Sequence, residues 1–345
     1  MKRKTTLKDI AAKANVSIST VSRYLNQNYD LLSAEAREAV GEAIKELNYS
    51  PVTTKRTLKR SNENINIGVV LTSSKSEAMG PLLSGIVNVA ENYNANVMVR
   101  FHDYDDTKER RALESFVNNG CDAIITIATD CQHINPACLR LASNKLPVVV
   151  LLNERPSREY KNISFIGNDT VKGALTGYHY LRSLGHSKIL LLGVPGEENH
   201  FFARFKAIEQ NCAKSGETFD QRLVVDCADS YSAAYQAMDQ ICRAGKRTFT
   251  AVFGMSDTIA LGAWDALAHH GLQIPKDISV LGYDNLRLAS YKQLTTLAEP
   301  MEALGTSAAN MVMNMLNGNQ IGAQNLVLQD SLQIRSSCGI CAETV

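Results

Sequence analysis

The chain has 345 residues, 45% hydrophobic and 21% charged, with a formal net charge of +1. That length exceeds one ordinary core and calls for two or three domains, while no apolar run approaches the roughly 20 residues of a membrane-spanning helix. Residues 1–60 carry 12 Lys and Arg against 6 Asp and Glu, leaving 24 against 29 on the remainder, so a polyanion would bind the basic end.

Thr6, followed three residues later by Asp9, is a capping-box-like helix start. Leu7, Ile10, Ala11 and Ala14 then repeat at helical spacing, and Asn15 tolerates the left-handed backbone that ends a helix. Val16-Ser17 restarts one with a capping serine, and Val21 and Leu25 continue its apolar face. Its other faces hold Ile18, Ser19, Thr20, Ser22, Arg23 and Asn26, short groups and one arginine that suit a major groove. An ordinary helical hairpin with a solvated face is the alternative. Gln27–Leu32 reads as a loop, and Ser33 caps a third helix to about Leu47 with Ala36, Val40, Ala43 and Ile44 inward. Pro51 opens a basic linker in which Leu58 is the single large apolar residue.

The run Thr6-Leu-x-Asp-Ile-Ala, then Ala14-Asn-Val-Ser-x-Ser-Thr-Val-Ser-Arg and Leu25-Asn, resembles the helix-turn-helix of the LacI/GalR family of bacterial transcription regulators, and the likeness continues through Glu46-Leu-Asn-Tyr-Ser-Pro51. The resemblance implies that Thr6, Ser17, Ile18, Ser19, Thr20, Ser22, Arg23 and Asn26 meet operator DNA. It also implies a hinge helix that forms on the operator, with Lys55 near phosphate and Leu58 wedged into the minor groove. Val52 and Lys55-Arg56 depart from the residues usual at these hinge positions.

From Ile65 apolar strands alternate with helices. Strands are expected at Ile65–Leu71, Asn96–Arg100, Ala123–Ile127, Pro147–Leu152 and Ser164–Gly167, with helices at Pro81–Tyr93, Thr107–Asn118 and Asn135–Asn144. A second set follows: helix Val171–Leu184, strand Lys188–Leu192, helix Ala203–Ser215, strand Arg222–Val225, helix Tyr231–Ala244, strand Ala251–Gly254, helix Thr258–His270 and strand Ser279–Tyr283.

The expected fold class is therefore α/β: an all-α headpiece followed by two doubly wound parallel-sheet subdomains, resembling a periplasmic sugar-binding protein. The expected boundaries are a headpiece at 1–50, a hinge at 51–64 and an effector-binding and dimerisation core at 65–345. Within the core, one subdomain spans about 65–165 and 294–328 and the other about 166–293 and 329–342, with crossings near 165, 293 and 328. Ligands of such folds bind at the carboxyl ends of the strands.

Chemical motifs are sparse. Gly193-Val-Pro-Gly196 lacks the third glycine and the Lys-Ser/Thr of a phosphate loop, and Pro195 lacks an N–H. Asp103, Asp105 and Asp106 lack the downstream ligands of a calcium site, and Cys338-Gly-Ile-Cys341 lacks a second ligand pair. No cofactor, metal or catalytic constellation is expected. Eight scattered cysteines and no apolar leader point to a reducing cytoplasm.

The family resemblance supplies the effector candidates. Phe202-Ala-Arg204-Phe-Lys-Ala matches the segment whose arginine reaches the effector, and Met255-Ser256-Asp257-Thr-Ile-Ala-Leu-Gly-Ala a second cleft motif. Leu281-Gly-Tyr-Asp284-Asn matches the motif whose aspartate accepts from sugar hydroxyls, and Asn153 follows a strand at the cleft edge. Met79 and Asp229 stand where many relatives have aromatic residues, which favours a more polar or acidic ligand. Asp257 has a competing role as cap of the helix from Thr258.

The function expected is a homodimeric DNA-binding regulator, a repressor, reading a pseudo-palindromic operator and controlled by a sugar or sugar acid. Arg335-Ser-Ser-Cys-Gly-Ile-Cys lacks the leucine heptad of tetrameric relatives. A soluble carbohydrate-binding protein of periplasmic type without a regulatory role is the alternative, and the headpiece argues against it. An α/β enzyme with a regulatory headpiece is a further rival.

Overall fold

The computed structural model describes the chain apart from residues 1–6, 18–19, 22–23, 25–31, 48–63, 75, 129–134, 144–145, 153–162, 194–200, 217–218, 246–247, 320–322 and 343–345. It divides into two compact units, Met1–Glu63 and Asn64–Val345.

In the first unit, helices Leu7–Lys13 and Ala34–Glu46 close on Ile10, Ala11, Val21, Val40 and Ala43, with Ala14, Val16, Tyr24, Ile44 and Leu47 packed around them. The local signals act as their chemistry requires. Asn15 sits at φ 51° and ends the first helix. Ser17 Oγ accepts from Thr20 N–H at 3.1 Å, and Ser33 Oγ accepts from Ala36 N–H at 3.2 Å. Lys13 and Glu46 join the helices in an exposed ion pair of 2.7 Å.

The second unit is built on two six-stranded sheets. The first contains β1 (Asn66–Leu71), β2 (Asn96–Phe101), β3 (Ala123–Ile127), β4 (Val148–Leu151), β5 (Ser164–Asn168) and, late in the chain, β11 (Asn325–Leu328). Their order is β11-β5-β4-β3-β1-β2, all parallel. The second contains β6 (Ile189–Leu192), β7 (Val224–Val225), β8 (Ala251–Gly254), β9 (Ser279–Tyr283), β10 (Thr295–Ala298) and β12 (Ser331–Gln333), ordered β12-β10-β9-β8-β6-β7. Only β12 is antiparallel to its neighbour. The central strands are buried on both faces, which explains their continuous apolar runs.

The chain passes between the sheets three times, between Asn168 and Thr170, between Ala298 and Met301, and between Leu328 and Ser331. Two of these crossings are later than the sequence positions near 165 and 293. Strand β5 stays in the first sheet through Asn168, and Thr295–Leu297 pair with Leu281–Tyr283, so β10 belongs to the second sheet rather than to the first subdomain. Helix Met301–Leu316 then returns to pack on helix Met79–Asn92. Glycines allow that approach: a Cβ on Gly305 would lie 2.0 Å from Leu82 O, and one on Gly85 2.2 Å from Glu302 O.

A strand expected at Arg222–Val225 begins instead with a 3₁₀ turn, Gln221–Leu223, because the Asp220 carboxylate accepts from Arg222 N–H at 3.0 Å and folds the backbone locally. Asp105 likewise caps helix Asp106–Asn118 through Thr107 and Lys108 N–H, while Asp103 pairs with Lys108, so this acidic loop is a helix start.

Candidate functional site

The side chains that gather at the three crossings come from both subdomains. Helix Phe201–Lys214 places Arg204 one turn from its start, where the side chain is 2% exposed. Its Nε donates to Thr170 Oγ1 at 2.8 Å, Nη1 to Met255 O at 2.5 Å and Nη2 to Glu299 Oε1 at 2.9 Å. The guanidinium plane lies 3.4 Å from the Tyr283 ring centroid, a stacked cation–π contact. Arginine is suited to such burial because its rigid fork satisfies several acceptors at once.

Around it the crossings are tied to one another. Asn168 Nδ2 donates to Glu299 Oε1 at 3.2 Å and to Asp330 Oδ1 at 2.9 Å, so one amide from the first crossing grips the second and third. The Tyr283 hydroxyl donates to Asp330 Oδ2. Burial holds the carboxyls of Glu299 and Asp330 above the usual carboxylate range, against the pull of Arg204.

Asp284 stands beside this network. It and Asn285 are consecutive left-handed residues, φ 105° and 57°, strained for non-glycine side chains. The turn is held by its surroundings: Asp257 Oδ2 accepts from Leu286 N–H at 2.7 Å, and Arg335 Nη2 donates to Asn285 Oδ1 at 2.5 Å. Among the described residues the Asp284 carboxylate accepts no hydrogen bond, and its ion pair is with Arg204 at 3.8 Å. Burial, then the neighbouring Glu299 charge, pushes its pKa well above the ordinary value.

Of the residues expected at the effector site, Arg204, Asp229, Ser256, Asp257 and Asp284 come together. The roles differ from the expectation in two places. Ser256, not Asp257, is the cap of helix Asp257–His269: its Oγ accepts from Ile259 N–H at 3.2 Å and donates to Asp229 Oδ1 at 2.7 Å. Asp257 is fully buried and accepts from Thr296 Oγ1 at 2.6 Å, and burial raises its pKa to about 7. Met79 is 8% exposed and packs in the core of the first subdomain, where its sulfur accepts from Thr72 Oγ1 at 3.3 Å. Asn153 lies outside the described residues, as do Thr6, Ile18, Ser19, Ser22, Arg23, Asn26, Lys55 and Leu58. Of the DNA-facing set, exposed Ser17 and half-buried Thr20 are described, their hydroxyls 2.8 Å apart.

Sequence reasoning missed Asn168, Thr170, Glu299, Asp330 and Tyr104. The signal for the first four was position: each sits at or beside a crossing, Asn168, Glu299 and Asp330 at or just past a strand end and Thr170 at the start of the next helix, where a polar side chain can meet the other subdomain. Tyr104 follows β2 and, with Asp103, holds left-handed backbone, φ 60° and 50°. Its ring is 62% exposed, yet burial of the hydroxyl end raises its pKa, against the hydrogen bond with Thr72, which lowers it, and with a smaller push from the charges of Asp229 and Asp284. The subdomains also meet where Arg287 N–H donates to Glu77 Oε2 at 3.3 Å.

A cavity of about 500 Å³ opens beside the network, lined by Leu152, Phe165, Asn168, Thr170, Lys206 and Gln210 among others. It shares Asn168 and Thr170 with the crossings but not Asp229, Asp257 or Asp284. Among the described residues no group of three or more metal-ligating side chains converges, and no helix is long and apolar enough to cross a membrane.

Two α/β subdomains joined by three crossings, following a helix-turn-helix segment in the chain, define a ligand-responsive DNA-binding regulator. The profile of the bacterial regulatory proteins of the lacI family matches residues 6–52, and that of the periplasmic binding protein-like domain matches residues 178–338. The HTH-type transcriptional repressor PurR of Klebsiella pneumoniae (strain 342) is 30% identical over 336 residues, covering 96% of each chain. The HTH-type transcriptional regulator RegA of Clostridium saccharobutylicum is 28% identical over 336 residues, covering 96% of this chain and 99% of the relative. A solved lac repressor dimer bound to operator and the anti-inducer ONPF superposes with a TM-score of 0.68 at 25% identity, covering 98% of this chain and all of that one. The chain belongs to the LacI family of bacterial transcription regulators.

Proposed function

We propose that this chain is a cytoplasmic, homodimeric repressor, without catalytic activity, whose operator affinity is set by a sugar-class metabolite in the cleft between the two subdomains of its core. The observation that carries this reading is the network at the crossings. Arg204, Asn168, Glu299, Tyr283 and Asp330 join all three connections, and Asp284 lies within 3.8 Å of Arg204. A ligand that engages Asp284 therefore acts on the groups that set how the subdomains meet. It shifts the balance between DNA-competent and incompetent states by its differential affinity for them. The headpiece residues Ser17–Asn26 supply base readout, and Lys55 and Leu58 the phosphate contact and minor-groove wedge.

The test is operator binding by the full chain across an effector titration, with sedimentation to read the oligomeric state. A two-fold symmetric complex on a pseudo-palindrome, with a midpoint moved by a sugar-class compound, is expected. Binding that ignores DNA sequence, or a chain that hydrolyses the compound, would overturn the reading.

A further inference from the structure

Strand β9 ends at Tyr283 and β10 begins at Thr295, and between them the chain makes an excursion whose first residue is Asp284. Asp284 and Asn285 open it with two consecutive left-handed residues, a backbone that persists only where its surroundings over-determine it. Two bonds hold the turn from its own side: Asp284 N–H donates to Leu297 O at 2.8 Å, and Leu286 N–H to Asp257 Oδ2 at 2.7 Å. A further hold comes from the segment after β12. Arg335 Nη2 donates to Asn285 Oδ1 at 2.5 Å, and Nη1 to Leu294 O at 2.6 Å. One planar guanidinium therefore grips the opening turn of the excursion and its last residue, closing it at the neck.

Arg335 is itself fixed. Its N–H donates to Thr295 Oγ1 at 3.0 Å, and Ser336 N–H donates to Gln293 O at 3.2 Å. Ser337, fully buried, donates to Val280 O at 2.5 Å and accepts from Thr295 N–H at 2.7 Å, so it joins β9 to β10 just beyond the arginine. The half-buried side chain thus leaves an anchored backbone, and two acceptors set where its fork lies. At the other end of this chain of contacts, Asp284 stands 3.8 Å from Arg204, which Thr170, Met255 and Glu299 hold at the crossings. The place of the Asp284 carboxylate depends on a residue that reaches it through Asn285.

We infer that Arg335 is a positioning residue for effector binding: by clamping Asn285 and Leu294 it keeps Asp284 where its carboxylate meets the effector, so that binding does not have to order the turn. This rests on Asp284 meeting the effector in the cleft, as proposed above. Lysine is a poor replacement, since one ammonium on a flexible stem lacks the fork that spans both acceptors.

The test combines two measurements on the full chain. Hydrogen exchange read by mass spectrometry should show the segment Asp284–Tyr291 opening faster in Arg335→Gln than in wild type. Strand β8 and helix Phe201–Lys214 should keep their wild-type protection, which separates loss of the clamp from loss of the fold. Calorimetric titration uses ribose, glucose, cellobiose, gluconate and galactonate as probes. A compound that binds wild type should bind about tenfold more weakly to Arg335→Gln and to Asp284→Asn, but less than about threefold more weakly again when Arg335→Gln is added to Asp284→Asn. Arg335→Lys, which keeps the charge without the fork, should fall short of wild type in both measurements. Losses that simply add, or a turn that exchanges no faster without the arginine, would overturn the inference and leave the cleft reading standing. Unchanged affinity of a binder for Asp284→Asn, or no binding by any of these compounds, would overturn the effector reading and take this inference with it.

Discussion

Arg204 and Glu299 meet at 2.9 Å although 95 residues of chain separate them, one from a helix of the second subdomain and the other from the segment that carries the chain back to the first. Both side chains are largely withdrawn from water, 2% and 13% exposed. Two charges in such a place are tolerated because each is the other's solvent. Removing one leaves the other without compensation.

Arg204→Ala should therefore destabilise the core by about 3–5 kcal/mol, because Glu299 and Asp284 lose the cation beside them. Arg204→Lys should recover part of this, since an ammonium keeps the charge but loses the fork and the stacking on Tyr283. Urea unfolding of the three proteins measures the difference. A loss under about 1 kcal/mol for Arg204→Ala would show that the network is strongly solvated.

Asp257 gives a pH dependence with a definite sign. Its folded pKa of about 7 lies above the ordinary 3.8, so folding favours the protonated carboxyl. That contribution is complete below pH 3.8 and is lost as pH rises towards 7, by up to about 4 kcal/mol. Asp257→Asn cannot ionise, and its amide oxygen can still accept from Thr296 or Leu286. Relative to wild type, the variant should gain stability on the order of 2–4 kcal/mol between pH 4.5 and pH 7.5. A difference that stays flat over that range would remove Asp257 as its source.

The two-sheet fold was legible because buried parallel strands write themselves as apolar runs such as Val148–Leu151 and Ala251–Gly254. The headpiece was legible from Asn15, Ser17 and Ser33, whose turn and capping chemistry is local. The crossings were less so: Leu294-Thr-Thr-Leu297 suits a strand of either sheet, and only pairing with Leu281–Tyr283 assigns it. Motif matching found Arg204 and Asp284 but not what they touch. Glu299 and Asp330 belong to no local pattern, and their meeting with Asn168 is a product of topology. For the same reason Asp257 was assigned a capping role that Ser256 performs.

His186 carries the opposite sign. It is 3% exposed, with Nδ1 at 2.9 Å from Thr250 Oγ1 and Nε2 at 2.9 Å from Ser279 Oγ and 3.0 Å from Gly339 O. Burial lowers its pKa below 6.5, so the folded state prefers the neutral ring and loses stability as pH falls through the unfolded value. Hydrogen exchange at the tail should show Gly339 and Cys341 amides, which donate to Ser279 Oγ and Leu184 O, opening faster at pH 5 than at pH 7 after correction for intrinsic rates. His186→Gln, which cannot protonate, should remove that difference. Unchanged protection in wild type would dissociate the tail from this ring.

The headpiece prediction rests on sequence, since Arg23, Lys55 and Leu58 fall outside the described residues. Arginine pairs with guanine in a geometry no other base offers, whereas a linker lysine meets phosphate wherever it lies. Arg23→Ala should cost about 1–3 kcal/mol on the operator and relax preference at one position per half-site. Lys55→Ala should weaken operator and random DNA alike and flatten the salt slope by about one for each contact removed. Leu58→Ala should keep the dimer but lose operator bending, because unstacking a base step needs an apolar wedge. The measurement is a salt series of operator and random-DNA titrations, with gel-shift bending for the leucine variant. Equal loss on both DNAs from Arg23→Ala would move this arginine from base readout to the phosphates.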